Sequence, residues 1–197
     1  MNLISIFGYL AVVCYFFHLF IGQRHYPNYN FRQQAVSGLT AIGAPSRKIA
    51  ALYANLYAFL SSIFCILLTY HLFQRDMPLS LLIGSCLLTL MCLTSAIGYA
   101  LFPLKQKNTE LALNKGHLMT TIFVVISTIL GLVFFTIGFW FSSRPMAFLS
   151  LTTFILLMIG GILTQKVPKK YFGLAERLNA FSTVIYLAIL ATWLWFN

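Results

Sequence analysis

Acidic residues are nearly missing from this chain. Three Asp and Glu stand against 13 Lys and Arg in 197 residues. Only 8% of the residues are charged, where an ordinary soluble domain carries roughly 25%. A soluble fold needs a polar skin, and so few charges cannot supply one. Disorder is excluded for the opposite reason: 60% of the residues are hydrophobic and the mean hydropathy is +0.86, too much apolar surface to stay unfolded in water. Paired-cysteine motifs are also missing. Cys14, Cys65, Cys86 and Cys92 form no C-x-x-C, the spacing thiolate metal sites normally show, and they read as small hydrophobes. Cys65 and Cys86 fall in the same half of the membrane, so a disulfide between them is geometrically open. The amino-terminal apolar run has no basic leader and no small-residue cleavage site, which reads as a retained first span rather than a signal peptide.

What the chain does have is six long apolar runs, at about 3–21, 49–71, 79–101, 117–141, 146–164 and 174–196. Each has the roughly 17–25 residues a helix needs to cross about 30 Å of hydrocarbon. Barrel strands would be about 10 residues with strict alternation, and these runs show none. A helix also satisfies its own backbone in lipid. The expected fold is therefore all-α: one polytopic membrane domain over residues 1–197, a six-transmembrane-helix bundle.

Charge placement orients it. Arg24, Arg32, Arg47, Lys48, Lys105, Lys107, Lys115, Lys166, Lys169, Lys170 and Arg177 belong to one side, and only Arg75 and Arg144 to the other. The positive-inside rule puts the three long connections in the cytoplasm and both termini outside the cell membrane. The net charge of +10 is then a topology signal that attracts anionic inner-leaflet head groups, and no nucleic-acid partner is expected. Trp140, Trp193 and Trp195 fall at the outer interface, where indoles are favoured. Small residues at i, i+4 (Ser80 with Gly84, Thr94 with Gly98, Ser127 with Gly131) mark helix seams; the same faces could serve a homodimer. The first connection is far longer than the one after span four, which argues against a duplicated transporter core.

Intramembrane polar residues are costly and are functional candidates by default. They gather near the inner ends of the spans: His18, Asn55, His117, Glu176, Arg177 and Asn179. Each has a structural reading beside the functional one. Glu176 in a first helical turn suits the helix dipole, Arg177 can snorkel or pair, and a lone imidazole such as His18 or His117 can bond a loop carbonyl. No second histidine pair supports haem, no H-E-x-x-H supports zinc, and no cofactor or metal is expected. The connection over 22–48 is too apolar for a free linker, and Ser37, Gly38, Gly43 and Pro45 argue against one long helix. A segment of this kind at membrane depth must be covered by protein or line a cavity, which makes it a candidate lid over the polar cluster.

Four pieces recur in order: V-S-G-L-T-A-I-G-A-P (36–45), L-F-P-L (101–104), G-H (116–117) and G-L-A-E-R-L (173–178). With them the chain resembles, over nearly its whole length, the six-span prokaryotic family catalogued as domain of unknown function nine-nine-eight. That family's first motif usually reads S-D-L, with an acidic residue where this chain has Gly38, so a carboxylate is missing here. The histidine and Glu-Arg positions match His117, Glu176 and Arg177. A fainter similarity reaches the Frag1/DRAM/Sfk1-like six-span proteins, tied to membrane lipid handling. The resemblance implies a fold and a site, not a reaction.

Three functions compete. The first is binding or moving a lipid or small amphiphile in a cytoplasm-facing polar pocket. Arg32, Ser37, Asn55, His117, Glu176, Arg177 and Asn179 would line it, with Arg177 and Arg32 on a phosphate. The second is an intramembrane hydrolase or transferase with His117 as base, Glu176 as orienting partner or acid, and Ser37 as nucleophile. The third is an accessory or immunity-type partner of another membrane protein. A proton-coupled transporter would have a single embedded carboxylate, Glu176, to work with.

Overall fold

Six helices follow the six apolar runs. The computed structural model describes residues 2–107, 110–112 and 114–197. Its helices are α1 (Ile4–Arg24), α2 (Arg47–Gln74), α3 (Leu79–Leu101), α4 (Lys115–Ser142), α5 (Arg144–Lys166) and α6 (Phe172–Phe196). Among the described residues these six are long and apolar enough to cross a membrane. Their ends have local causes. Asp76, at a left-handed φ of 48°, and extended Pro78 turn the chain between α2 and α3. The Asn114 side chain accepts from the His117 N–H at 2.7 Å and caps α4. Ser143 alone links α4 to α5, whose first turn contains Pro145. Pro168 follows α5 and opens a short 3-10 helix, Lys169–Tyr171, that leads into α6. Glu176 therefore lies in the second turn of α6 rather than the first, because helix begins at Phe172, ahead of the apolar run.

Each helix packs against its neighbours in the chain, and α1 packs against α6, so the six close into a ring. The ring's interior holds Phe64, Leu68, Leu72, Leu81, Phe135, Phe139, Tyr186, Leu190 and Leu194, each 2% exposed or less. Its outer surface is apolar too: Phe20, Phe59, Ile137, Phe141 and Ile162 stand exposed. That is the surface a lipid-facing bundle needs. The small-residue pairs are seams within the chain. A Cβ on Gly84 would meet the Gly131 carbonyl oxygen of α4 at 3.2 Å, and one on Gly98 would run into Thr120, so α3 and α4 approach backbone to backbone. The cysteines differ from the pairing left open by sequence. Cys65 Sγ lies 3.6 Å from Cys92 Sγ inside the α2–α3 seam, while Cys86 is exposed, and all four are free thiols. Helix rotation decides this: Cys65 shares the inward face of α2 with Ser61, Ser62, Phe64, Leu68 and Leu72, and Cys86 points away from it.

The connection between α1 and α2 is folded onto the bundle. Ala35, Val36, Leu39, Ala41 and Ala44 are buried, and Ser37–Thr40 form a 3-10 helix packed on α2 and α1. Ile42 exchanges backbone hydrogen bonds with the start of the third connection, its N–H donating to the Leu104 carbonyl and its carbonyl accepting from the Gln106 N–H, both at 2.8 Å. There β1 (Lys105–Lys107) pairs antiparallel with β2 (Glu110–Ala112). Gly43 has a φ of +96°, and a Cβ there would sit 3.1 Å from the Gln106 carbonyl oxygen. That backbone needs glycine.

Candidate functional site

Two polar residues of α6, Glu176 and Arg177, gather the first connection onto the bundle. Glu176 reaches back to the start of the Ser37–Thr40 helix, where its carboxylate accepts from the backbone N–H of Val36 and Ser37 and from the Ser37 hydroxyl at 2.8 Å. A helix start leaves its N–H groups without partners. Here a carboxylate from another helix supplies them, and charge strengthens each bond.

Arg177, one residue on, holds the other half of the connection. Its Nη1 donates to the carbonyls of Phe31 (2.6 Å), Gln34 (3.0 Å) and Gly173 (2.8 Å), and its Nη2 donates to the Tyr29 hydroxyl at 2.8 Å. The guanidinium also lies over the Tyr29 and Phe31 rings. The Tyr29 hydroxyl in turn donates to the Ala35 carbonyl at 2.9 Å. Burial holds the Tyr29 phenol above its ordinary range, with Arg177 pulling the other way, so it stays a protonated donor at neutral pH. Gly173 lets the strands of this knot meet: a Cβ there would press on the Phe31 and Gln34 carbonyl oxygens and on Arg177. The G-L-A-E-R-L motif is thus a staple for the first connection, and Arg177 is only 6% exposed.

This geometry revises several site assignments made from sequence. Arg177 has its donors on backbone carbonyls, and Arg32 is exposed with its guanidinium over Phe31; the two do not form a phosphate clamp. Ser37 and Glu176 do meet, but His117 does not join them. Its Nδ1 donates to the Phe102 carbonyl at 2.9 Å, and its ring lies 4.8 Å from that of Tyr99. That bond places the proton on Nδ1 and satisfies a carbonyl freed where α3 ends. His18 Nδ1 donates to the Ala50 carbonyl at 3.1 Å, a bond added to the first turn of α2 and tying α1 to it. Asn55 is exposed on α2. Asn179 is turned toward α5, its buried Oδ1 against Gly160 and without a hydrogen-bond partner among the described residues. A base, acid and nucleophile in mutual contact are not assembled from His117, Glu176 and Ser37. Among the described residues no three His, Cys, Asp or Glu side chains form a metal-ligand set.

Beside the staple lies a cavity of about 160 Å³. The first connection contributes Tyr26, Tyr29, Gln33 and Gln34, the third contributes Gln106, and the start of α6 contributes Phe172. Ala35 and Gly38 complete its lining. The Tyr26 hydroxyl accepts from Gln106 Nε2 at 2.6 Å. None of these side chains is among the ionisable groups that mark candidate sites in the sequence. The available signal was the run Y-P-N-Y-N-F-R-Q-Q (26–34), dense in aromatic and amide side chains and holding one charge.

Residues 9–193 match the family described as "Protein of unknown function (DUF998)". The chain belongs to this family. The match spans all six helices, the staple and the cavity. No curated protein and no solved structure matches the chain. The family membership carries no reaction, and the chemistry has to be argued from the site itself.

Proposed function

We propose that this multi-pass protein lies in the cell membrane with both termini outside, and that it binds or moves a lipid or small amphiphile at the cytoplasmic end of its bundle. The observation that carries the reading is the cavity beside the Glu176–Arg177 staple. It has hydrogen-bonding side chains, lies at the level where the helices end, and is bounded by a connection fixed in place. Small-molecule sites have this character: concave, partly apolar, with a few placed polar groups. Exposed Arg47, Lys48, Lys105, Lys169 and Lys170 surround the same end, which suits it to the anionic leaflet.

Two measurements test this. A phosphatase reporter fused after Asn197 is expected to be active only outside the cytoplasm; activity confined to a cytoplasmic reporter would reverse the orientation. Native mass spectrometry of protein extracted with its own lipids is expected to show a retained lipid that is lost in Gln33→Trp, where an indole at the exposed rim blocks the cavity. Equal lipid retention by that variant would remove the cavity from the reading.

A further inference from the structure

The walls of the cavity define what it can hold. Among the side chains lining it, none carries a charge at neutral pH: they are phenols, primary amides and the Phe172 ring. Arg177 stands behind Tyr29 with its donors engaged by carbonyls and that phenol. A phosphate or carboxylate entering here would lose part of its hydration with no cationic side chain in the lining to replace it, which is unfavourable. Open hydrogen-bonding capacity is nevertheless present. The Gln33 amide has no partner among the described residues. Gln34 uses Oε1 on the Asn30 N–H, and its NH2 has no partner among the described residues. Tyr26 accepts from Gln106 and keeps its own O–H to donate.

Primary amides and phenols offer donors and acceptors side by side. Vicinal hydroxyls, each donor and acceptor at once, are the complementary chemistry, and the aromatic rings of Tyr26 and Phe172 in the lining add apolar surface for the C–H groups of a compact ring. Size agrees. At roughly 30 Å³ per liquid water the cavity has room for about five waters, on the order of a glycerol group or one sugar ring.

We infer that the cavity lined by Tyr26, Gln33, Gln34 and Phe172 recognises an uncharged, hydroxyl-rich group, a glycosyl or glycerol moiety carried by a lipid or free in solution. The inference rests on the amphiphile-binding reading for its lipid form, and the test separates the two. Full-length protein in polymer discs free of glycoside detergent is offered three lipids with the same acyl chains: a monoglucosyl diacylglycerol, the bare diacylglycerol and a phosphatidic acid. Retention is read by native mass spectrometry, and free glucose is titrated separately by calorimetry.

The glucosyl lipid is expected to be retained about tenfold over the other two, the weight of a net hydrogen bond or two. Gln33→Ala should remove most of that preference with the melting temperature unchanged, and Tyr26→Phe should remove most of it as well. Gln33 is exposed, so its variant tests recognition even if Tyr26→Phe disturbs the loop. Binding of free glucose without the glucosyl lipid would support hydroxyl recognition while removing the amphiphile reading. Equal retention of all three lipids, or preference for phosphatidic acid, would overturn the inference and leave amphiphile binding standing. Retention of none, with no glucose binding, would overturn both.

Discussion

The two ends of the bundle are built differently. At one end the chain turns in the fewest residues it can: Arg75 to Pro78 between α2 and α3, and Ser143 alone between α4 and α5. The polar contacts there are single and mostly within one helix end, such as Asn197 on the Trp193 carbonyl at 2.8 Å, with an Asn2–His71 hydrogen bond at 3.3 Å and Arg144 over the Trp140 ring at 4.4 Å besides. At the other end a long connection is drawn down onto the helices by Glu176 and Arg177, bonded to the third connection through Ile42, and left with a cavity beside it. Turns that short need no side-chain support. An irregular segment packed at the helix ends does, because its backbone groups are sheltered from water and must find partners. The contrast identifies the costly end of the molecule, and a cost retained at one end is where binding is to be sought.

The contrast can be broken by substitution. Arg177→Ala has the largest expected effect. It strips donors from the buried carbonyls of Phe31 and Gln34 and from Tyr29, and should destabilise the protein by about 3–5 kcal/mol, read as a fall in detergent-solubilised melting temperature. Glu176→Gln follows at about 1–2 kcal/mol. The amide loses the charge and presents one acceptor oxygen where the carboxylate presents two. Gly43→Ala should cost about 1 kcal/mol or more, from the left-handed backbone and the nearby Gln106 carbonyl oxygen. Arg144→Ala, at the opposite end and exposed, should cost no more than about 1 kcal/mol through its contact with Trp140. Similar losses for Arg144→Ala and Arg177→Ala would erase the difference between the ends. Alkaline pH sharpens it. Because the Tyr29 phenol is held above its ordinary pKa of 10.0, its contribution is intact below that value and is lost as pH rises through the folded value. Tyr29→Phe should flatten that alkaline loss.

The helices were legible in the sequence because hydrocarbon thickness sets their length. Expected spans such as 79–101 and 174–196 differ from the structure by two residues or fewer at each end. The packed first connection was legible from its apolar content. The work of Glu176 and Arg177 was not, because their partners are backbone N–H and C=O groups, which leave no residue-type signature. The same holds for His18 and His117: the carbonyls of Ala50 and Phe102 to which they donate are invisible in a string of letters. The Cys65–Cys92 contact required the rotation of two helices, which spacing alone does not provide. The cavity was missed because neutral amides and phenols carry no charge to attract notice.

The most direct test of the staple is hydrogen–deuterium exchange on the intact protein, comparing wild type with Arg177→Met, which keeps side-chain bulk and removes the donors. Amides over residues 29–40 are expected to lose protection in the variant while those of the α3–α4 seam around Gly84 and Gly131 keep theirs. Unchanged protection over residues 29–40 would contradict it, and Arg177 would then not be what holds the connection in place.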